Sequence, residues 1–329
     1  MFKNKSILVT GGTGSFGKNF VRHILKNFKG IKKIIIFSRD EYKQHVLKQK
    51  LSQYEESKIR FFLGDIRDKN RLLQAFEDLD IVVHAAALKQ VPAAEYNPQE
   101  YIKTNIIGSQ NIIEAAIEKN VKKVLSLSTD KAVAPINLYG ATKLCSDKLF
   151  MAANNIKGKR KLTFSILRYG NVMMSRGSVL SVYKDIKNNT FPITDDRMTR
   201  FSLTLDESIN AAVDVLRNSM GGEIFIPKIN SYKILDLVKA ISNKPKLKII
   251  GIRPGEKLHE ELISSGETGT VYESKNFFII CAKKNQIYEK KYKKFNDNYI
   301  SNKNKFYNVL QLKKIIDKEN KKILNDPLF

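Results

Sequence analysis

Short apolar runs recur through the first half of the chain, each giving way to a stretch of polar or small residues. Ile7 to Thr10, Lys33 to Phe37, Ile59 to Leu63, Ile81 to His84, Val124 to Ser128 and Leu162 to Arg168 are runs of this kind. Apolar runs of about four to eight residues between turn signals predict strands covered on both faces. Between them apolar positions return at helical spacing, as at Phe20, Ile24 and Leu25. Strand and helix alternating in this way predict an α/β fold with a Rossmann-like, doubly wound parallel sheet. Past Asn171 the alternation weakens. The division expected is residues 1–170 as one domain and residues 171–329 as a smaller region interleaved with it. That region is assembled from Arg176 to Ser178, Thr194 to Phe201, Gly221 to Lys228 and Ile252 to Lys257. From about Lys283 the chain becomes a polar, lysine-rich tail with a helix around Leu310 to Ile316.

Composition changes this picture little. With 329 residues, 42% of them hydrophobic, the chain is long enough to bury a large core. A net charge of +25 raises nucleic acid or anionic lipid as partners. The lysines, however, are spread along the chain and thicken only at Lys283, Lys284 and Lys290 to Lys294. There is no zinc-finger spacing, no aromatic RNA-binding stripe and no glycine-rich arginine tract. The reading is a solvated basic surface, with small anionic substrates as a sufficient use of the potential and no nucleic-acid partner. Two cysteines, Cys145 and Cys281, are too few for a disulfide framework and point to a reducing cytoplasm. The polar start and the lack of any run near ~18 apolar residues predict neither signal peptide nor membrane span. No histidine cluster suggests a metal.

Ile7 to Thr10 leads into Gly11-Gly12-Thr13-Gly14-Ser15-Phe16-Gly17 and then into the helix of Phe20 and Ile24. Glycines at this spacing, between strand and helix, let the backbone approach a pyrophosphate at a helix N-terminus. The second strand ends in Ser38-Arg39-Asp40. An acidic residue at that point favours NAD, whereas an arginine accommodates a 2′-phosphate. Ser38 and Arg39 argue for NADP; Asp40 is a small shift away from the ribose. Lys43 reads equally as a phosphate ligand and as a solvated helix lysine. Asp65, after the third strand, is placed to accept from the adenine amine or to cap the next helix. Ala85 and Ala86 are small enough for close packing against a cofactor. His84, among apolar neighbours, reads as a core histidine rather than a catalyst. Lys89 follows in the loop. Thr104 and Asn105 lie on the next helix, where the asparagine either holds backbone or water beside the cofactor or satisfies a local carbonyl.

Ser128-Thr129-Asp130-Lys131 stands at the C-terminal end of the fifth strand, where ligands bind in open parallel sheets. Strand neighbours point to opposite faces, so Asp130 and Lys131 meet one substrate only if the strand has already ended. Ala132 to Pro135 supports an ending there. Tyr139 and Lys143, four apart, share one helix face. A cation beside a phenol lowers its pKa from ~10 and makes it a base. A base lysine must be neutral and an acid aspartate protonated. Desolvation favours both states and an Asp130–Lys131 ion pair opposes both. Arginines on turns suit bidentate phosphate binding.

With these motifs the chain resembles the extended short-chain dehydrogenase/reductase superfamily. More closely it resembles the inverting UDP-N-acetylglucosamine 4,6-dehydratases that open pseudaminic acid synthesis. The resemblance rests on residues 11 to 17, Ser-Arg-Asp-Glu (38 to 41), His-Ala-Ala-Ala-Leu-Lys (84 to 89), Glu-Tyr-Asn-Pro (95 to 98), Ser-Thr-Asp-Lys-Ala (128 to 132), Asn-Leu-Tyr-Gly-Ala-Thr-Lys (137 to 143), Arg-Met-Thr-Arg-Phe (197 to 201) and Gly-Ile-Arg-Pro-Gly-Glu-Lys-Leu-His-Glu (251 to 260). It implies a catalytic set of Asp130, Lys131, Tyr139, Lys143 and Thr129. It implies NADP bound by the glycine loop, Ser38, Arg39, Asp40, Lys43, Asp65, Ile66, Ala85, Ala86, Lys89, Thr104, Asn105, Tyr139 and Lys143. It implies UDP-N-acetylglucosamine bound by Lys89, Asn171, Arg176, Ser178, Val179, Thr194, Met198, Arg200, Arg253 and Glu256, and a cytoplasmic homo-oligomer, from a dimer up to a hexamer. In the implied chemistry Tyr139 serves oxidation at sugar carbon 4, Lys131 takes the carbon 5 proton and Asp130 protonates the departing carbon 6 hydroxyl. Related retaining dehydratases and dehydratase/5-epimerases often carry methionine at the position of Tyr139. Met174 stands where the family has glycine, Gln90 where it has histidine and Ser202 where it has tryptophan.

Overall fold

Each of the six apolar runs forms a strand in the computed structural model, which describes residues 1–325 apart from Arg176, Gly177, Asp185, Lys187 and Thr268. The strands are β1 (Ser6–Thr10), β2 (Lys33–Ser38), β3 (Ile59–Leu63), β4 (Ile81–His84), β5 (Lys123–Thr129) and β6 (Thr163–Tyr169). They pair in parallel in the order β3-β2-β1-β4-β5-β6. The order runs outward in both directions from β1, the doubly wound arrangement, with its switch point between β1 and β4.

Both faces of this sheet are covered, because alternate side chains point opposite ways. Within β1, Ile7 and Val9 pack with Phe20, Ile24, Ile209 and Val215, while Leu8 packs with Leu72, Ile112 and Phe150. Each such side chain contributes about 1.5–3 kcal/mol by leaving water. Four of the covering helices start at a capping side chain. Asp40, Asp68, Asn137 and Thr204 accept from backbone N–H groups in the first turns of the helices Glu41–Lys48, Lys69–Ala75, Leu138–Ile156 and Leu205–Asn218.

The second half departs from the weak pattern read there. It contains β7 (Asn171–Val172), β8 (Thr190–Ile193), β9 (Thr199–Leu203), β10 (Glu223–Pro227), β11 (Ser231–Lys233), β12 (Lys246–Ile249), β13 (Glu261–Ile263), β14 (Thr270–Glu273), β15 (Phe277–Cys281), β16 (Lys293–Lys294) and β17 (Tyr299–Ile300). β10 extends the main sheet in parallel beside β6, and β15, β14 and β16 then add antiparallel to a total of ten strands. The turn between β14 and β15 is too short for the crossover that a parallel pair requires. β11, β9 and β7 form a separate small sheet, and β8 pairs with β12. Met173, Tyr183, Phe191, Met198, Tyr232 and Leu237 make a third core with Leu312 and Ile316. The last two lie on the helix Val309–Asn325, which is longer than the segment expected around Leu310 to Ile316. Among the described residues no helix is long and apolar enough to cross a membrane.

Candidate active site

A cavity of about 890 Å³ lies over the C-terminal ends of β1, β2, β4, β5 and β6. It is lined by the glycine loop, Ser38, Arg39, Asp40, Lys43, Asp65, Ile66, Ala85, Ala86, Lys89 and Thr104 at one end. Asn171, Ser178, Val179, Thr194, Met198, Arg200, Arg253 and Glu256 line the other, with Thr129, Asp130, Lys131, Tyr139 and Lys143 between. Asn105 lies just behind the wall, and Arg176 falls outside the described residues.

At the first end the helix Ser15–Asn27 begins at Gly14, with no side chain capping its first N–H groups. Gly11 has φ +64° and packs on the backbone of Ala86, a conformation and a closeness that a Cβ would disturb. An uncapped helix start with closely approaching backbone has the shape and polarity that suit a phosphate. Asp40 is engaged twice by its own helix: it caps the Lys43 amide at 2.9 Å and pairs with the Lys43 ammonium. Arg39 extends half-exposed over the cavity, 3.7 Å from Asp65, and Asp65 is held mainly by Arg67 at 2.8 Å. Thr104 Oγ1 is buried with no partner. Asn105 pins the wall, accepting from the Leu88 amide and donating to the Leu88 carbonyl, both at 2.9 Å, and donating to Thr142 at 3.0 Å. It sits on a π-helical turn, Ile102–Ile107, that widens the helix there. His84 is a core histidine: Thr10 holds its Nδ1 at 2.8 Å, and burial, reinforced by Lys143, pushes it down to about 3.

In the middle, β5 ends at Thr129 and a 3₁₀ turn, Asp130–Ala132, follows. The turn brings both side chains to one cavity, as the spacing required. Lys131 Nζ is 3.1 Å from Asp130 Oδ1 and 3.2 Å from Glu260 Oε1. Asp130 is fully buried and its Oδ2 has no partner. Burial, opposed by Lys131 and joined by the Glu260 charge, raises the Asp130 pKa. Burial acts to lower that of Lys131, but Asp130 and Glu260 outweigh it and hold the ammonium charged.

The helix Leu138–Ile156 delivers Tyr139 and Lys143. Asn137 caps it through the Gly140 amide at 2.8 Å, and Glu95 accepts from the Leu138 amide at 2.8 Å. Gly140 lets this helix press on the 3₁₀ turn; a Cβ there would stand 2.2 Å from the Lys131 carbonyl oxygen. Burial pushes the Tyr139 phenol up to about 12, with Lys131 and the Thr129 hydroxyl acting the other way. Lys143, expected to be the cation that lowers the phenol, instead donates to the Leu127 carbonyl at 2.9 Å. Burial lowers the Lys143 pKa.

The loop at 251–260 closes the site from above. Gly255 is tied to Asn137 at 2.8 Å and Lys257 to the Val133 carbonyl at 2.7 Å. Arg253 lies exposed on the rim. Arg200, expected on a turn, lies on β9 and is buried. It donates to the Thr199 and Leu258 carbonyls at 2.7 and 3.1 Å and pairs with Glu256 at 3.3 Å. Glu260 was not among the residues expected in the site; only its place at the end of the 251 to 260 motif hinted at it. Asp147 and Arg168 were also missed. They form a buried pair at 3.3 Å behind Ser128, which donates to Asp147 at 2.7 Å.

Two of the three departures, Met174 and Ser202, have visible effects; the contact at Gln90 uses only its backbone. Met174 adopts φ +60°, the left-handed region that costs a side chain about 1–2 kcal/mol. Ser202 Oγ is buried without a partner and, with Asn171, lines a small void of about 10 Å³. Gln90 serves through its carbonyl, which accepts from Tyr101 at 2.6 Å.

Residues 7–282 match the family described as polysaccharide biosynthesis protein. This chain belongs to that family. A UDP-N-acetylglucosamine 4,6-dehydratase (inverting) from Campylobacter jejuni is 53% identical over 283 residues, 85% of this chain and 84% of the relative. The resemblance drawn from the motifs is therefore carried by most of the chain. A UDP-glucose 4-epimerase from Rickettsia bellii is 43% identical over 288 residues, with 85% and 84% covered. The crystal structure of Pen from Bacillus thuringiensis, 36% identical, superposes with a TM-score of 0.89 over 97% of this chain and 99% of that one.

Proposed function

We propose that this protein is an NADP-dependent UDP-N-acetylglucosamine 4,6-dehydratase that inverts sugar carbon 5. Its product would be UDP-2-acetamido-2,6-dideoxy-β-L-arabino-hex-4-ulose, the first intermediate of pseudaminic acid synthesis. Residues 1–170 would hold the dinucleotide and residues 171–329 most of the nucleotide sugar. The observation that carries this reading is the pairing of the buried Asp130 with the partly exposed Lys131 beside Tyr139. A 4-epimerase, the runner-up suggested by the Rickettsia relative, works at carbon 4 alone and has no use for an acid and a base at carbons 5 and 6. Elimination of water needs both.

The first end of the cavity fits a dinucleotide. The uncapped helix start at Gly14 suits the pyrophosphate, and the orphan Thr104 hydroxyl offers a polar contact. Asp40 is committed to Lys43 and to capping, so Arg39 is the group left to meet the ribose, which favours a 2′-phosphate and hence NADP. When bound, the nicotinamide supplies the acceptor for the carbon 4 hydride and gives it back at carbon 6. Lys143 would hold the ribose beside it. Lys131 and Tyr139, both protonated in the free protein, would each have to give up that proton once substrate is bound. Tyr139 would then take the carbon 4 hydroxyl proton, Lys131 the carbon 5 proton, and Asp130 would protonate the carbon 6 oxygen as it leaves. Tyr139, protonated by then, would return a proton to carbon 5 from the opposite face and so invert it. Lys89 and Asn171 would face the sugar, and Arg253 at the rim would meet the diphosphate.

The test is incubation with UDP-N-acetylglucosamine in heavy water without added cofactor, followed by proton NMR. The expected product is a 4-keto-6-deoxy sugar carrying deuterium at carbon 5 with the L-arabino couplings. UDP-N-acetylgalactosamine without loss of water would favour the epimerase. A D-xylo product formed first would place the chain with the retaining enzymes.

A further inference from the structure

Glu260 stands across Lys131 from Asp130 and has no step in the chemistry above. Its side chain is 3% exposed, with Oε1 3.2 Å from Lys131 Nζ and 3.8 Å from Arg200 Nε. Its place is fixed from behind. The Glu260 amide donates to Ser301 Oγ at 2.9 Å, and the Ser301 amide donates back to the Glu260 carbonyl at 2.9 Å. Ser301 Oγ is in turn 2.7 Å from Thr199 Oγ1.

This network holds two cations, Lys131 and Arg200, and three carboxyl groups, Asp130, Glu256 and Glu260. Lys257 adds a third positive charge that acts on Glu260, so the cations gather on the Glu260 side and Asp130 is left with the weakest share. A buried carboxylate short of counter-charge takes up a proton. Glu260 lies between both cations. Glu256 pairs with Arg200 and keeps 28% of its side chain in contact with solvent. All three carboxyl groups keep one buried oxygen without a partner, but Asp130 is the most buried of them, has only Lys131 and shares it with Glu260.

We propose that Glu260 is a positioning residue: by serving as counter-ion to Lys131 it leaves Asp130 protonated, and so makes Asp130 the acid of the elimination. Asp130 is faced by Lys131 and Thr129 on its own turn, Tyr139 from the helix, Glu260 from the loop and Tyr232 from β11. Thr129 donates to the Asp130 oxygen that Lys131 also holds, which leaves Oδ2 to carry the proton. Burial and then the charge of Glu260 raise the Asp130 pKa, while Lys131 and Arg200 outweigh burial and lower that of Glu260.

The catalytic meaning of this assignment rests on the dehydratase reading; the protonated Asp130 does not. The experiment is a carbon-13 NMR titration of aspartate carboxyl groups in the full-length protein, with Asp130 identified by the signal lost in Asp130→Asn. Asp130 is expected neutral at pH 7 in the natural protein and ionised in Glu260→Gln, a shift of about one pH unit or more. In turnover, the alkaline limb of kcat should move to lower pH by the same amount in Glu260→Gln, because removing a nearby negative charge favours the ionised acid. Glu260→Asp keeps the charge and should retain the limb, and KM should stay unchanged in both. An Asp130 already ionised at pH 7 in the natural protein overturns the proposal, whether or not the variants fold. So does a signal that titrates at one pH in both proteins. A neutral Asp130 in a protein that never removes water from UDP-N-acetylglucosamine overturns the reaction and leaves the Glu260 assignment standing.

Discussion

Replacing Gly140 by alanine should separate catalysis from stability. The new Cβ would lie 2.2 Å from the Lys131 carbonyl oxygen and 3.1 Å from Pro135 Cβ, and the first contact falls about 0.8 Å short of the 3.0 Å that Cβ atoms keep. Neither side yields easily. The helix start is held by Asn137 and Glu95, and the 3₁₀ turn by the Asp130–Lys131–Glu260 network. Overpacking of this kind costs about 1–3 kcal/mol. Alanine in place of glycine in a helix returns about 1 kcal/mol. The net loss of ~0–2 kcal/mol lowers the melting temperature by a few degrees in a chain of this size. The same displacement moves Asp130 and Lys131 relative to Tyr139 by most of an ångström, and a misplacement near 1 Å costs about 10²-fold in rate. The assay is kcat by product NMR, with calorimetric melting and titration with UDP. The expected pattern is a kcat down about a hundredfold, a small melting shift and unchanged UDP affinity. Gly266→Ala, whose Cβ would meet nothing within 4 Å, is the control and should leave all three alone. A folded Gly140→Ala with kcat within threefold of the natural protein would refute the claim that this helix sets the position of the acid–base turn.

Three further outcomes are expected. Lys131→Met should lower turnover by ~10²–10⁴-fold while calorimetric affinity for the nucleotide sugar changes little, since the residue serves proton transfer rather than phosphate binding. Denaturing the purified protein should release NADP(H), and Arg39→Ala should weaken NADP by tenfold or more relative to NAD in equilibrium binding; release of NAD alone refutes the assignment. Asp80 is held down at about 2 although burial opposes it, because Lys122, the Ser6 amide and Lys5 bind its carboxylate. Its folded pKa lies below the unfolded value near 3.8, so it stabilises above that value by about 1–2 kcal/mol, and the stabilisation disappears as pH falls toward 2. Denaturant titration of Asp80→Asn should show that loss at pH 7 and almost none near pH 2.

The features legible in the chain were those set by neighbours in sequence. β1 to β6 came within a residue or two of their runs, because continuous burial of a strand leaves a continuous apolar stretch; β3, at the sheet edge with Arg60 and Leu63 exposed, is the exception. The glycine loop, the end of β5 at Thr129 and the shared face of Tyr139 and Lys143 likewise follow from spacing alone. What the fold alone decided lies between residues far apart. Glu260 reaches Lys131, Arg200 is buried on β9 instead of presented on a turn, and Lys131 rather than Lys143 acts on the Tyr139 phenol. The antiparallel strands β14 and β15 join the main sheet although their stretch of sequence carries no strand–helix alternation. Periodicity and motif spacing record how a segment meets its own backbone and an averaged interior. The protonation of a carboxyl depends on which charges stand within 4 Å of it, and that is known only once the chain has closed on itself.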